Sequence, residues 1–99
     1  MNQAELNITD LRDRSFAAAG DQVSNVLGDE KIILDMKSGE YFGMNPVGAD
    51  IWDYIQQPRK LDEIVAILMD KYGIDQERCE TDVLALLAEL SDVGLIEIT

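Results

Sequence analysis

The chain of 99 residues contains no histidine, a single cysteine, and only 8 Lys+Arg against 20 Asp+Glu. Histidine is the usual general base near neutral pH and the commonest nitrogen ligand of zinc, so its absence argues against hydrolytic triads and zinc sites. The lone Cys79 cannot form an internal disulfide. The sequence also lacks a secretory signal and any apolar run near the roughly 18–20 residues that span a bilayer. We therefore expect a cytoplasmic, non-catalytic protein that holds no metal or cofactor and does not enter a membrane.

The net charge of −12 bears on the choice of partner. Such a charge repels the phosphate backbone of nucleic acids and anionic lipid headgroups, which favours a neutral or basic partner. The apolar share of 46% is that of a chain that folds around a core. Length and composition predict one domain over residues 21–99, preceded by a partly ordered N-terminal arm over residues 1–20.

Three short strands joined by tight turns are predicted before the first helix. The strand over 23–27 ends at Gly28, the strand over 31–36 is aliphatic and β-branched, and the strand over 40–44 is aromatic. Glycine at the turns supplies the positive φ that a hairpin needs. The pattern indicates an antiparallel β-meander.

The apolar period changes to that of helices at Asn45-Pro46, a pair that combines a favoured N-cap with a first-turn proline. Helices are predicted over 46–56, from Lys60 to Tyr72, and between Asp75 and Gly94. A short strand over 95–98 is expected to close the sheet edge or to act as a wing. The fold class is α+β, and the arrangement is winged helix-turn-helix-like: a three-stranded antiparallel meander, three helices and a short C-terminal strand.

A winged helix often binds DNA through a basic recognition helix, and the last part of this chain has the opposite charge. From Asp75 to Thr99 there are seven acidic residues and one basic residue, Arg78. DNA binding is therefore not expected. Two other residues are expected to have structural roles. Cys79 lies on an apolar stripe and should be a buried, inert thiol. Trp52 should anchor the first helix in the core.

The aromatic strand is the most informative segment. Alternation places Tyr41 and Gly43 on one face and Phe42 and Met44 on the other. If the strand lies at a sheet edge, its unpaired N–H and C=O groups form a template for an added strand, which Gly43 allows to approach closely. The apolar arc of the third helix is broad, which suggests a groove beside this strand that receives peptide side chains. A purely core role for the strand fits the same pattern.

The segment from Ile32 to Trp52 resembles the central signature of the PqqD-like family, the RiPP recognition elements. The patterns at 61–64 and 82–96 continue this similarity, which covers about residues 21–98. The segment is most similar to the stand-alone leader-binding proteins of lasso-peptide clusters.

The resemblance implies a non-catalytic domain that binds the leader of a ribosomally synthesised precursor peptide, and we expect this domain to be a monomer. The leader would add as an antiparallel strand to the third strand, over a cleft bordered by the third helix. A separate cysteine protease and a cyclase would then process the peptide. The implied leader-binding residues lie on that strand and that helix, where the two acids would pair with basic leader residues: Tyr41, Phe42, Gly43, Met44, Asp82, Val83, Leu86, Leu87, Glu89 and Leu90.

Two alternatives remain open at the level of sequence. The first is a PqqD-type peptide chaperone that partners a radical SAM enzyme. The second is a winged-helix protein-interaction domain without a role in peptide maturation.

Overall fold

A computed structural model describes Leu11 and residues 13–99. The elements in this part of the chain, in order, are β1 Ser15–Ala18, β2 Gln22–Leu27, β3 Glu30–Asp35, β4 Tyr41–Met44, α1 Pro46–Tyr54, β5 Arg59–Lys60, α2 Leu61–Tyr72, α3 Gln76–Asp92 and β6 Ile96–Ile98. None of these helices combines the length and hydrophobicity that a membrane span requires.

Strands β2, β3 and β4 form the predicted meander, with β3 in the centre. Leu34 of β3 lies opposite Val23 of β2 on one side and opposite Tyr41 of β4 on the other. The turns contain Gly28 and Gly39, both with φ near +70° (66° and 74°), the left-handed region where a side chain is strained. The α+β prediction and the meander are confirmed.

A second antiparallel sheet has the order β5-β1-β6. Its central strand β1 belongs to the segment that the sequence assigned to the arm, and its Phe16 is fully buried in the core. The predicted C-terminal strand is present as β6, but it pairs with β1 rather than with the meander, Phe16 lying opposite Ile98. This sheet was not predicted, because its strands are two to four residues long and lie far apart in the sequence. The arm's residues 1–10 and 12 lie outside the described residues.

The helix ends agree with the capping signals in the sequence. The N–H of Gly48 donates to Asn45 Oδ1 (2.8 Å) at the start of α1, and the N–H of Arg78 donates to Asp75 Oδ1 (3.1 Å) at the start of α3. Helix α2 ends at Gly73, whose φ is 67°. These caps fix where α1 and α3 begin and where α2 ends.

A cluster of buried apolar side chains joins the helices to both sheets. Trp52 and Cys79 belong to it, as predicted, together with Phe16, Ile33, Ile51, Ile64, Leu87, Leu90 and Leu95 among others. Burying a side chain of this size contributes about 1.5–3 kcal/mol relative to leaving it exposed. This core holds β4 and α3 in fixed positions.

Candidate functional site

Strand β4 lies at the edge of the meander with half of its backbone groups directed outward. The N–H of Asp35 donates to the carbonyl of Glu40 (2.9 Å), which makes these two residues a hydrogen-bonded pair. Because such pairs alternate along an antiparallel ladder, Phe42 and Met44 bond to β3, whereas the N–H and C=O groups of Tyr41 and Gly43 point away from it. The predicted edge strand is therefore an open template for another strand.

The opposite edge, strand β2, is less available. The N–H of Met36 donates to the carbonyl of Asp21 (2.8 Å), and the same alternation directs the backbone groups of Ser24 and Val26 outward. The outward N–H of Val26 donates to Asn25 Oδ1 (2.9 Å) and is thus satisfied locally. A side chain that satisfies an edge donor discourages strand addition, so β4 is the more open of the two edges.

The side chains of β4 divide between two faces as predicted. Met44 is buried and Phe42 packs against the core, whereas Tyr41 is 71% exposed on the outer face of the sheet. Ile32 and Leu34 of β3 share that outer face, because they are the cross-strand partners of Gly43 and Tyr41. A strand added to β4 would place alternate side chains toward the helices and toward this outer face.

A cleft of about 420 Å³ lies beside β4 on the helix side. This volume falls within the roughly 300–1,000 Å³ typical of ligand pockets. Its lining comes from the end of β4, the first turns of α1, the end of α2, the following loop and the first half of α3: Gly43, Met44, Asn45, Val47, Gly48, Ile51, Leu68, Ile74, Cys79, Asp82, Val83 and Leu86. The cleft is predominantly apolar and continuous with the open edge.

The predicted site residues of α3 do not all lie together. Asp82, Val83 and Leu86 line the cleft. Leu87 and Leu90 do not line it; they lie in the core, at 0% and 4% exposure. Glu89 is exposed and also lies outside the cleft lining. The apolar arc of α3 is broad because one side of it faces the cleft and the other the core, a distinction that helical spacing alone does not make.

The contribution of α1 to the cleft was missed. Val47, Gly48 and Ile51 line it because the Asn45-Pro46 cap starts α1 directly at the end of β4. A Cβ at Gly48 would lie 3.3 Å from Asn45 Oδ1 and 3.4 Å from Met44 Sδ, tighter than most Cβ contacts. The cap next to an edge strand was a usable signal for this wall of the cleft.

Cys79 lies in the cleft wall without the features of a nucleophile. Burial raises the pKa of its thiol, and the charges of Asp82 and Asp75 raise it further. A reactive cysteine needs the opposite shift. In the described part of the chain, no group of Cys, Asp and Glu side chains is arranged to hold a metal ion. The features that this site does provide are an open strand edge and an apolar cleft beside it.

The turn before β4 is held by a buried carboxylate. Asp35 is 5% exposed and accepts a hydrogen bond from Ser38 Oγ (2.9 Å). This bond and further ones from the turn backbone lower the pKa of Asp35. The N–H of Gly39 donates to the carbonyl of Asp35 (2.8 Å). Together these bonds set the point at which β4 begins.

Helix α1 is tied to its neighbours by ion pairs. Lys31 Nζ of β3 lies 2.5 Å from Asp53 Oδ1, and Lys71 Nζ of α2 lies 2.8 Å from Asp50 Oδ2. The hydroxyl of Tyr72 also donates to Asp50 Oδ2 (2.5 Å). Partial burial of Asp50 opposes its ionisation, but the bonds from Lys71 and Tyr72 outweigh it and lower its pKa. These contacts position the α1 wall of the cleft.

Comparison with known proteins assigns this architecture to a family. Residues 30–96 match the family model described as coenzyme PQQ synthesis protein D (PqqD). The solved structure of TbiB1 in complex with the TbiA(beta) leader peptide is 30% identical, with a TM-score of 0.75, covering 82% of this chain and 94% of that chain. A lasso peptide synthetase B1 complexed with the leader peptide shares the fold at 22% identity and a TM-score of 0.73, covering 83% of this chain and 96% of that one. Among curated proteins, none matches. Since the family model covers more than half of the sequence, the chain belongs to the PqqD family.

Proposed function

We propose that this protein binds the leader segment of a ribosomally synthesised, lasso-type precursor peptide as an antiparallel strand on β4. The observation that carries the proposal is the outward-directed backbone of Tyr41 and Gly43 beside an apolar cleft. β-strand addition uses these two features, since the backbone bonds give affinity and the flanking pockets give specificity. The similarity to TbiB1, a structure solved with a leader peptide, supports this choice of ligand.

The cleft should contribute as much to the free energy of leader binding as the edge of β4 does. The N–H and C=O groups of Tyr41 and Gly43 can form backbone bonds worth about 0.5–1.5 kcal/mol each. Association costs an estimated 4–15 kcal/mol, so these bonds alone do not hold a peptide. An apolar leader side chain buried in the cleft would add about 1.5–3 kcal/mol. We infer that leader residues opposite Phe42 and Met44, whose side chains would project to the helix side, anchor the peptide, and that the one opposite Met44 lies at the cleft.

The protein would present the leader without acting on it. The chain has no histidine, and its one cysteine is buried with a raised pKa. We propose that cleavage of the leader and closure of the lasso ring are performed by a separate cysteine protease and a cyclase, with this protein acting as a monomer in the cytoplasm. An alternative within the family, whose model is described as coenzyme PQQ synthesis protein D, is a chaperone that presents a precursor to a radical SAM enzyme.

Titration of the isotope-labelled protein with a synthetic leader tests the proposal. The leader is that of the precursor encoded beside the gene, and the control is a scrambled peptide of the same composition. Saturable amide shifts are expected at Tyr41–Met44 and along the cleft face of α3, with no saturation for the scrambled peptide. No saturable shift with the leader would overturn the proposal. A neighbouring gene for a radical SAM enzyme, instead of a protease and a cyclase, would support the alternative.

A further inference from the structure

Gly43 is a glycine that the fold itself does not require. Its φ is not positive, unlike that of Gly39 in the turn. A Cβ at Gly43 would meet Glu30 Oε1 at 3.6 Å and Ile32 Cδ1 at 3.7 Å, which are ordinary van der Waals distances. Glycine inside a strand weakens it, and such a position often marks a close approach by a ligand or another backbone. The missing side chain therefore leaves a notch on the outer face of the sheet, walled by Glu30 and Ile32.

An added strand would place one of its side chains over this notch. Because the backbone groups of Gly43 point outward, the residue opposite it would form a hydrogen-bonded pair with Gly43, and its side chain would project to the same outer face. Neighbouring strands lie about 4.8 Å apart, so this side chain must cross roughly that distance over Gly43 before it meets Ile32. A long, unbranched side chain suits the path.

The far wall of the notch is negatively charged. The Glu30 carboxylate borders it, and in the described part of the chain no cationic side chain forms an ion pair with Glu30. The adjacent Lys31 is directed to the other face, where it pairs with Asp53. The net charge of −12 adds a general attraction for cations.

We propose that the leader residue opposite Gly43 is an arginine or a lysine. Its methylene stem lies on Gly43 and Ile32, and its cation meets the Glu30 carboxylate. Long basic side chains bury their stems along apolar surface in this way while the charged end stays hydrated. The missing side chain at Gly43 favours a long leader side chain at this position, and the Glu30 carboxylate favours a positively charged one. This inference rests on the proposed strand addition.

A displayed library of random twelve-residue peptides tests it with three forms of the protein: wild type, Gly43→Val and Glu30→Lys. With the wild type, one position of the enriched peptides is expected to favour Arg and Lys. That position should change to small residues for Gly43→Val and to Asp or Glu for Glu30→Lys. Glu30→Lys changes no residue of β4 and should still enrich peptides, and valine suits a strand, so Gly43→Val should keep the fold.

Binding measurements with synthetic peptides then show how much the selected basic residue contributes to affinity. Replacing the selected Arg by Ala should weaken binding to the wild type about two- to fivefold, as expected for one exposed ion pair, and should weaken binding to Glu30→Gln by less, because only the contact of the stem is then lost. Enriched peptides in which no position responds to both substitutions would overturn this inference while leaving strand addition intact. Failure to enrich any peptide with the wild type would instead count against strand addition itself.

Discussion

Ser38 Oγ donates a hydrogen bond of 2.9 Å to Asp35 Oδ2, and this bond closes the turn from which β4 departs. A strand that receives a ligand along its free edge has neighbours on one side only, so its register depends on the turn that precedes it. Ser38→Ala should destabilise the protein by about 0.5–1.5 kcal/mol, the usual net contribution of one hydrogen bond. Urea unfolding at pH 7 measures the change. The exposed Lys37→Ala, in the same turn, is the control; its ion pair with Asp21 is a surface one of 3.8 Å, so the midpoint should change little.

The carboxylate of Asp35 should also make the stability of the protein depend on pH. The pKa of Asp35 is lowered in the folded protein, chiefly by the bond from Ser38, so the unfolded state binds its proton more tightly. Its contribution is therefore fully present above the unfolded pKa of about 3.9 and is lost as the pH falls through the lower folded value. Unfolding midpoints compared between pH 6 and pH 2.5 should fall less for Asp35→Asn than for the wild type. An equal loss in both would show that Asp35 does not contribute.

Proline substitutions along β4 separate docking from folding. Tyr41→Pro removes an outward N–H that bonds to nothing in the sheet, so the fold should survive and leader affinity should fall about tenfold or more. Phe42→Pro removes an N–H that bonds to Ile33 and should destabilise the protein. Circular dichroism and isothermal titration calorimetry measure both properties. Unchanged leader affinity in a folded Tyr41→Pro protein would contradict docking on β4.

Adjacent leucines on α3 provide a matched pair for the cleft. Leu86 lines the cleft and is only partly buried, whereas Leu87 is fully buried in the core. Leu86→Ala should weaken leader binding with a small effect on stability. Leu87→Ala should cost about 2–5 kcal/mol of stability and leave the affinity of the folded fraction unchanged. If both substitutions altered affinity equally, the cleft would not be the site where the leader side chains bind.

The two acidic residues of α3 that were predicted to contact the leader should differ in their effect on leader affinity. Asp82 lies at the cleft and Glu89 does not. Asp82→Asn should reduce the affinity for a basic leader about two- to fivefold at low salt, and the reduction should shrink as salt increases. Glu89→Gln is the control and should change neither the affinity nor its salt dependence. Titrations at two salt concentrations distinguish these outcomes.

The sequence predicted the parts of the fold that local patterns specify. Gly28 and Gly39 indicated the hairpin turns, and Asn45-Pro46 indicated the start of α1. Strand β1 could not be predicted, because the Ser15–Ala18 segment is held by partners near residues 59 and 97 that no local signal links to it.

The candidate site was predicted in outline and not in detail. Alternation was sufficient for β4, since each residue faces one of two sides. Helical spacing was not sufficient for α3, because Leu86 and Leu87 both belong to its apolar arc. Only the packing neighbours of each residue show that Leu86 lies at the cleft and Leu87 in the core. Ile74 reaches the cleft from a loop, where neither period applies.

Amide hydrogen exchange of the protein, free and saturated with leader, tests strand addition to β4 residue by residue. The amides of Tyr41 and Gly43 are expected to exchange freely without leader and to become protected with it, because a bound strand would accept their hydrogen bonds. The exchange rate of the Ser24 amide on β2 should not change when the leader binds. Protection along β2, or continued free exchange of Tyr41 and Gly43 in the saturated protein, would contradict strand addition to β4.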